Sequence, residues 1–294
     1  MLYVGTPQGN RCDEGFRQGL AELGYVEGKN VFLEVRAGEG KSDRLGELAA
    51  ELARLKVDVI FAPGTVVAQS AKQATTTTPI VFATAADPIG SGLIEGLGRP
   101  GGNLTGLSLI AGPEIGGKYL ELLREAVPRA PRMAVVWNPD NPAYTPLVKE
   151  MEVAARALGV ELRLLAVRKP DEFDGAFRAM VQWRVGAFVV LPDPLSLSHR
   201  VEIAERASKH RLPAMYGLRE HVEAGGLMSY GVDLRYNCRR AATFVDKILK
   251  GANPATLPVE QPTKFELVIN LKAAKALGLT IPESLRLRTD DVIQ

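Results

Sequence analysis

The sequence predicts an α/β fold with parallel sheets arranged in two Rossmann-like lobes, and three observations carry that expectation. Short Val/Ile/Leu-rich runs alternate with segments of helical period almost from end to end, the pattern of strands joined by crossover helices. The chain has 294 residues, more than one typical hydrophobic core organises, so two lobes are expected. The alternation falls into two series on either side of "GRPGGNLTGLSL", residues 98 to 109, whose glycine and proline punctuation marks a linker.

In chain order, the first series places strands at residues 2 to 5, 31 to 36, 57 to 62, 79 to 84 and 104 to 109. The second places them at 132 to 137, 160 to 166, 186 to 191, 212 to 216 and 227 to 230. Helices between them show apolar stripes: Phe16, Leu20 and Leu23, then Leu45, Leu48, Leu52 and Leu55, then Phe173, Phe177, Met180 and Val181, all read as core. Ser42, Asp43 and Asp171 stand where helix N-caps are expected. A last long helix, 234 to 250, carries Phe244, Val245, Ile248 and Leu249 and stops at Gly251. An extended piece and a short helix follow it.

Composition excludes several function classes. The 36 basic and 34 acidic side chains leave a net charge of +2, which supplies no basic face for nucleic acid. No apolar run reaches the length of a membrane span, and "MLYVGTPQGNRCDEG" lacks the three regions of a signal peptide. Cys12 and Cys238 form no metal-type cluster; free thiols are the expectation, with a disulfide as the alternative that export would favour. His199, His210 and His221 stand beside no catalytic motif and are expected on the surface.

Open parallel sheets bind ligands beyond the carboxyl ends of their strands, so the loops there hold the candidate site. They read "VGTP", "APGT", "AADP", "WNPDNP", "LPDP" and "SYGVD". Gly64 and Thr65 can present backbone N–H groups and a hydroxyl to a carboxylate or single phosphate; a tight turn explains them equally well. The loop at Gly64 reads neither GxGxxG nor GxxxxGK[ST], which disfavours dinucleotide and Walker-type nucleotide binding there. Asp87, Asp193 and Asp233 each follow a strand and can meet an ammonium or hydroxyl, or cap a turn. Trp137, Asn138, Tyr216 and Tyr230 add aromatic faces and an amide at the same end of the second series.

The chain resembles the substrate-binding proteins of ABC importers, in the family with tryptophan- and tyrosine-binding members. The blocks that carry the resemblance are "FRQGLAELGYVEGKNV", "DRLGELAAELARLKVDVI", "PIVFATAADPIGSGLIEGLGRPGGNLTGLS", "EAGGLMSYGVD" and "LPVEQPTKFELVINLKAAKALGLTIP". The resemblance implies a type I periplasmic-binding architecture, with a hinge of crossing strands. By that analogy lobe one takes residues 1 to 106 and 233 to 262, and lobe two takes 107 to 232 and 263 to 294.

The implied function is that of an extracytoplasmic, periplasmic receptor. It would close over a small ligand, an amino acid with aromatic ones favoured, and deliver it as a monomer to a membrane permease. Family cleft loops map onto Thr6, Gly64, Thr65, Asp87, Asn138, Asp193, Tyr216, Tyr230 and Asp233. A ligand carboxylate would go to Gly64 and Thr65, its ammonium to an aspartate, and its side chain to Trp137, Tyr216 or Tyr230. No cofactor, metal, catalytic residue or nucleic acid is implied. The alternative is an enzyme on the same scaffold with Asp87 or Asp193 as acid or base; fold alone does not separate the two. A sensor module of the repressor kind would need a DNA-binding segment, which this sequence lacks.

Overall fold

The structure, a computed structural model, describes residues 1 to 5 and 10 to 294. Thr6 lies outside the described residues. The strands of the first part are β1 (Leu2–Tyr3), β2 (Arg36–Ala37), β3 (Ile60–Phe61), β4 (Ile80–Ala85) and β5 (Leu104–Ser108). Those of the second are β6 (Arg132–Trp137), β7 (Glu161–Ala166), β8 (Ala187–Val190), β9 (Ala214–Tyr216), β10 (Met228–Gly231), β11 (Glu266–Asn270) and β12 (Asp291–Ile293). The helices are α1 (Arg11–Glu22), α2 (Leu45–Arg54), α3 (Thr65–Ala74), α4 (Ile115–Ala126), α5 (Tyr144–Ala157) and α6 (Glu172–Gln182). They continue with α7 (Pro194–Ser198), α8 (Arg200–Lys209), α9 (Arg219–Glu223), α10 (Leu234–Leu249), α11 (Leu271–Ala276) and α12 (Glu283–Arg286).

The chain divides into two compact units. Unit one comprises Met1–Ala111, Asn141–Ala143 and Leu234–Thr263; unit two comprises Gly112–Asp140, Tyr144–Asp233 and Lys264–Gln294.

In unit one, β1 pairs parallel with β2, and β3, β4 and β5 form a parallel sheet in that order. Alternate residues of these strands feed two separate cores. Ile60, Ile80 and Phe82 join the leucines of α2 on one side, and Phe61, Val81 and Ala83 join Phe16 and Phe244 on the other. Burial on both faces explains the near-continuous apolar runs of these strands. The expected strand at 31 to 36 shrinks to Arg36–Ala37 because β1 offers only two residues for pairing. Leu33 and Val35 still pack inward, while Phe32 is 77% exposed.

Helices α1 and α10 meet backbone to backbone. A Cβ added at Gly15 or Gly19 would collide with the carbonyl oxygen of Arg235 or Arg239, so glycine alone permits the approach. One turn before Gly15, Cys12 is joined to Cys238 in a disulfide. This corrects the expectation of free thiols: the two cysteines are 226 residues apart in sequence, and only the pairing of the helices brings them together.

Unit two is built on a seven-stranded sheet, ordered β12-β11-β10-β9-β8-β6-β7. From β7 to β10 all pairs are parallel. β11 then runs antiparallel to β10, with Met228 opposite Ile269, and β12 is parallel to β11. The antiparallel step departs from the all-parallel expectation. The chain between β10 and β11 belongs to unit one, so no crossover helix within the sheet imposes a parallel return.

Three further expectations change. Asp171 makes no side-chain bond to α6, and Ser42 and Asp43 lie inside a 3-10 turn rather than capping α2. Side chains that do cap include Asn10, Asp193 and Asn270. Leu23, Leu55 and Val181 mark the exposed edges of their stripes. His221 is buried, contrary to its expected surface place.

Candidate functional site

The candidate residues of unit one gather at the ends of β3 and β4. Gly64 is the N-cap of α3 with φ 96°, a left-handed conformation that glycine adopts without strain. It has no side chain to cap the helix, so the first N–H groups of α3 are left to other partners, with the positive end of the helix dipole behind them. Thr65 is buried, and its Oγ1 accepts a hydrogen bond from the Ala86 N–H at 3.0 Å. That bond ties the start of α3 to the end of β4 and leaves the hydroxyl hydrogen for donation.

Half-buried Asp87 follows directly. Its Oδ1 accepts from the Gly90 N–H at 2.8 Å, and its carbonyl accepts from the Ser91 N–H at 2.9 Å. It therefore organises the turn after β4, and Gly64, Thr65 and Asp87 are brought together within unit one.

In unit two the strand order reverses direction around β6: β7 and β8 flank it, so chain connections leave to both sides. Such a switch point is where open α/β sheets leave a crevice. Trp137 ends β6, half-buried, and Asn138 follows it, buried, with Oδ1 accepting from the Asp140 N–H at 3.0 Å. Across the switch point, Asp193 follows β8 and is 5% exposed. Its Oδ1 accepts from the Leu195 N–H at 2.9 Å, and its capping box with Ser196 starts α7.

Two tyrosines of unit two, Tyr119 of α4 and Tyr144 at the first position of α5, are buried. Burial above all, then the Asp193 carboxylate and the Tyr119 phenol, push the Tyr144 hydroxyl well above its ordinary range. Burial and then Tyr230 raise Tyr119. Both phenols therefore stay neutral.

Tyr230 is half-buried and stacked on Phe265, ring centroids 5.6 Å apart. Asp233 lies half-buried just before α10. Tyr216 is placed differently from its expected ligand-facing role. It is fully buried in the core of unit two, stacked on His221 and edge-on to Phe188, because its strand has apolar neighbours on both faces.

Among the described residues, no group of three or more His, Cys, Asp or Glu side chains is arranged to hold a metal ion, and no helix is long and apolar enough to cross a membrane.

Comparison with known proteins agrees with this architecture. The chain is 25% identical over 276 residues to the tyrosine-binding protein of Clostridioides difficile, covering 94% of this chain and 79% of that protein. The solved ABC domain from Streptococcus pneumonia in complex with L-Trp superposes with a TM-score of 0.91 at 28% identity, over 99% of this chain and 97% of that one. A leucine-binding protein from Thermotoga maritima, at 13% identity and TM-score 0.60 over 85% of this chain and 81% of that one, shares the fold. That fold is the type I periplasmic-binding architecture. The model of the ABC transporter substrate binding protein family matches residues 2 to 293, and the chain belongs to that family.

Proposed function

We propose that this protein is the extracytoplasmic receptor of an ABC importer that binds an amino acid, aromatic ones favoured, and hands it to a permease as a monomer without catalysing a reaction. The observation that carries this reading is the likeness, along 99% of the chain, to a domain solved with L-Trp. The tyrosine-binding relative supports it. The buried Cys12–Cys238 disulfide supports an oxidising, periplasmic location.

In this reading the open N–H groups of α3 at Gly64 and Thr65 take the ligand carboxylate. One of the aspartates Asp87, Asp193 or Asp233 takes the ammonium. Trp137, Asn138 and Tyr230 shape the side-chain pocket, and Thr6 keeps the contact role the family implies. Tyr216 acts from behind, as packing.

The test is a thermal-shift screen of chain unfolded and refolded to strip carried-over ligand, against amino acids, small carboxylates and sugars. A ligand at a hundredfold excess over Kd stabilises the folded state by about 2.7 kcal/mol. A shift with tryptophan or tyrosine supports the reading. A shift with a sugar or phosphate ester alone overturns it and reopens an enzyme with Asp87 or Asp193 as acid or base.

A further inference from the structure

Besides the short excursion at Asn141–Ala143, the chain passes between its two units at Ala111–Gly112, at Asp233–Leu234 and at Thr263–Lys264. The third passage is tied down on both sides. Within unit one the arriving segment runs beside β5: the Glu260 N–H donates to the Gly106 carbonyl at 3.0 Å, and the Ser108 N–H donates to the Glu260 carbonyl at 2.9 Å. Arg240 holds the Glu260 carboxylate through Nε at 3.0 Å and Nη2 at 2.8 Å. The Gln261 side-chain amide then donates to the Ala111 carbonyl at 2.9 Å, which joins the third passage to the first on the side of unit one.

Within unit two the departing segment is held again at once. Phe265 stacks on Tyr230, Glu266 pairs with Gly231 in the β10–β11 ladder, and Arg219 meets the Glu266 carboxylate at 3.2 Å. These contacts join the third passage to the second. Only Pro262, Thr263 and Lys264 lie between the two sets of ties. Thr263 and Lys264 are exposed, and neither Pro262 nor Thr263 makes a hydrogen bond among the described residues. Proline fixes its own φ, which leaves most of the rotation to Thr263 and Lys264.

The first passage is equally short. It is held at Ala111 by Gln261, and α4 begins at Ile115. Gly112 stands just past the tie, its φ is not positive, and the nearest atoms a Cβ would meet there belong to the flexible Glu114 carboxyl end.

We propose that the hinge of this protein bends at Gly112 and at Thr263 with Lys264, between the clamps that Gln261 makes on Ala111 and Phe265 makes on Tyr230, and that the freedom of these few residues tunes affinity for every ligand alike. This rests on the receptor reading above and goes beyond it. Closing around a solute orders the bending residues, at a cost in conformational entropy. Apparent affinity falls with the fraction of protein competent to close, so residues remote from the ligand set its scale without setting its preference.

The experiment compares Thr263→Gly, Gln261→Ala and Gly112→Ala with the wild type. For one measurement each chain also carries Lys29→Cys and Lys209→Cys, exposed positions on unit one and unit two, for a pair of spin labels; the native cysteines are already joined. Pulsed electron resonance reads the width of the label-to-label distance distribution in refolded, ligand-stripped protein. Calorimetry on unlabelled chains reads Kd for tyrosine, tryptophan and leucine, and melting curves show that each variant is folded.

Thr263→Gly and Gln261→Ala should broaden the distribution, and Gly112→Ala should narrow it. Thr263→Gly should weaken every ligand that binds by one common factor, about two- to fivefold, because glycine loses more freedom on ordering than the residue it replaces. Gly112→Ala should strengthen every ligand by a common factor of similar size, about two- to fivefold. Distributions unchanged in all three variants overturn the proposal. A changed ratio between ligands overturns it too, because these residues would then act in the pocket. If no amino acid binds the wild type, the amino-acid reading falls by itself, and the label distances still decide the hinge.

Discussion

His221 Nε2 lies 3.2 Å from the carbonyl oxygen of Ser196. The imidazole is 1% exposed and stacked on Tyr216 at 4.8 Å, and its Nδ1 has no hydrogen-bond partner among the described residues. The neutral ring, donating from Nε2, suits this place. Ser196 is in turn the residue that closes the capping box of Asp193, so the histidine braces the loop after β8 from beneath.

Acid should therefore destabilise the fold. Burial lowers the His221 pKa from 6.5 to about 4, so between those values the unfolded chain binds a proton that the folded one refuses. Stability is fully present above about pH 6.5 and declines as pH falls towards 4, by about 3 kcal/mol from this group. Urea unfolding at pH 7.5 and 4.5 should show the loss, and His221→Phe should flatten it. An unchanged slope in that variant would place the acid sensitivity elsewhere.

Breaking the Cys12–Cys238 bond should cost about 2–5 kcal/mol of stability. The double variant Cys12→Ala/Cys238→Ala, or reduction under denaturant, should lower the urea midpoint. Mass spectrometry after alkylation of the native chain should find no free thiol. Two alkylated cysteines would contradict the pairing.

Gly15→Ala should destabilise by about 1–3 kcal/mol, since the added methyl meets the Arg235 carbonyl at a helix contact that cannot spread without moving the disulfide. Gly46→Ala is the control. Gly46 lies in α2 with open space around it, and alanine there should stabilise by up to about 1 kcal/mol. Equal melting temperatures for the two variants would refute the close packing of α1 on α10.

Thr65→Val removes the acceptor for the Ala86 N–H and should cost about 1–3 kcal/mol, while Thr65→Ser retains it. Under the proposed carboxylate role, Thr65→Val should also weaken tyrosine or tryptophan about tenfold. Wild-type affinity in a variant with lowered stability would assign Thr65 a purely structural role.

Most of the scaffold was legible because it depends on local pattern. The stripe Leu45, Leu48 and Leu52 and the runs at 80 to 85 and 132 to 137 state their period and burial directly. What escaped depends on distant chain segments. Cys238 meets Cys12 only through the packing of α1 on α10, β11 turns antiparallel because its chain arrives from unit one, and Phe32 is left outside by a two-residue partner strand.

Among the candidate site residues, the strand-end positions Gly64, Thr65, Asp87, Asn138 and Asp193 were visible from turn chemistry. Tyr216 reads as a site residue by position, yet its side chain faces the interior of its own sheet.

The order in which the chain completes each unit governs its biogenesis. Unit one lacks α10 and half of its disulfide until Leu234–Thr263 have been made, and unit two lacks two strands until Lys264–Gln294 follow. Synthesis therefore has to pass Leu234–Thr263 before the core of unit one can close, and Lys264–Gln294 before the sheet of unit two is complete. Each unit is thus assembled from segments made far apart in time, and the disulfide forms only once Cys238 has joined Cys12.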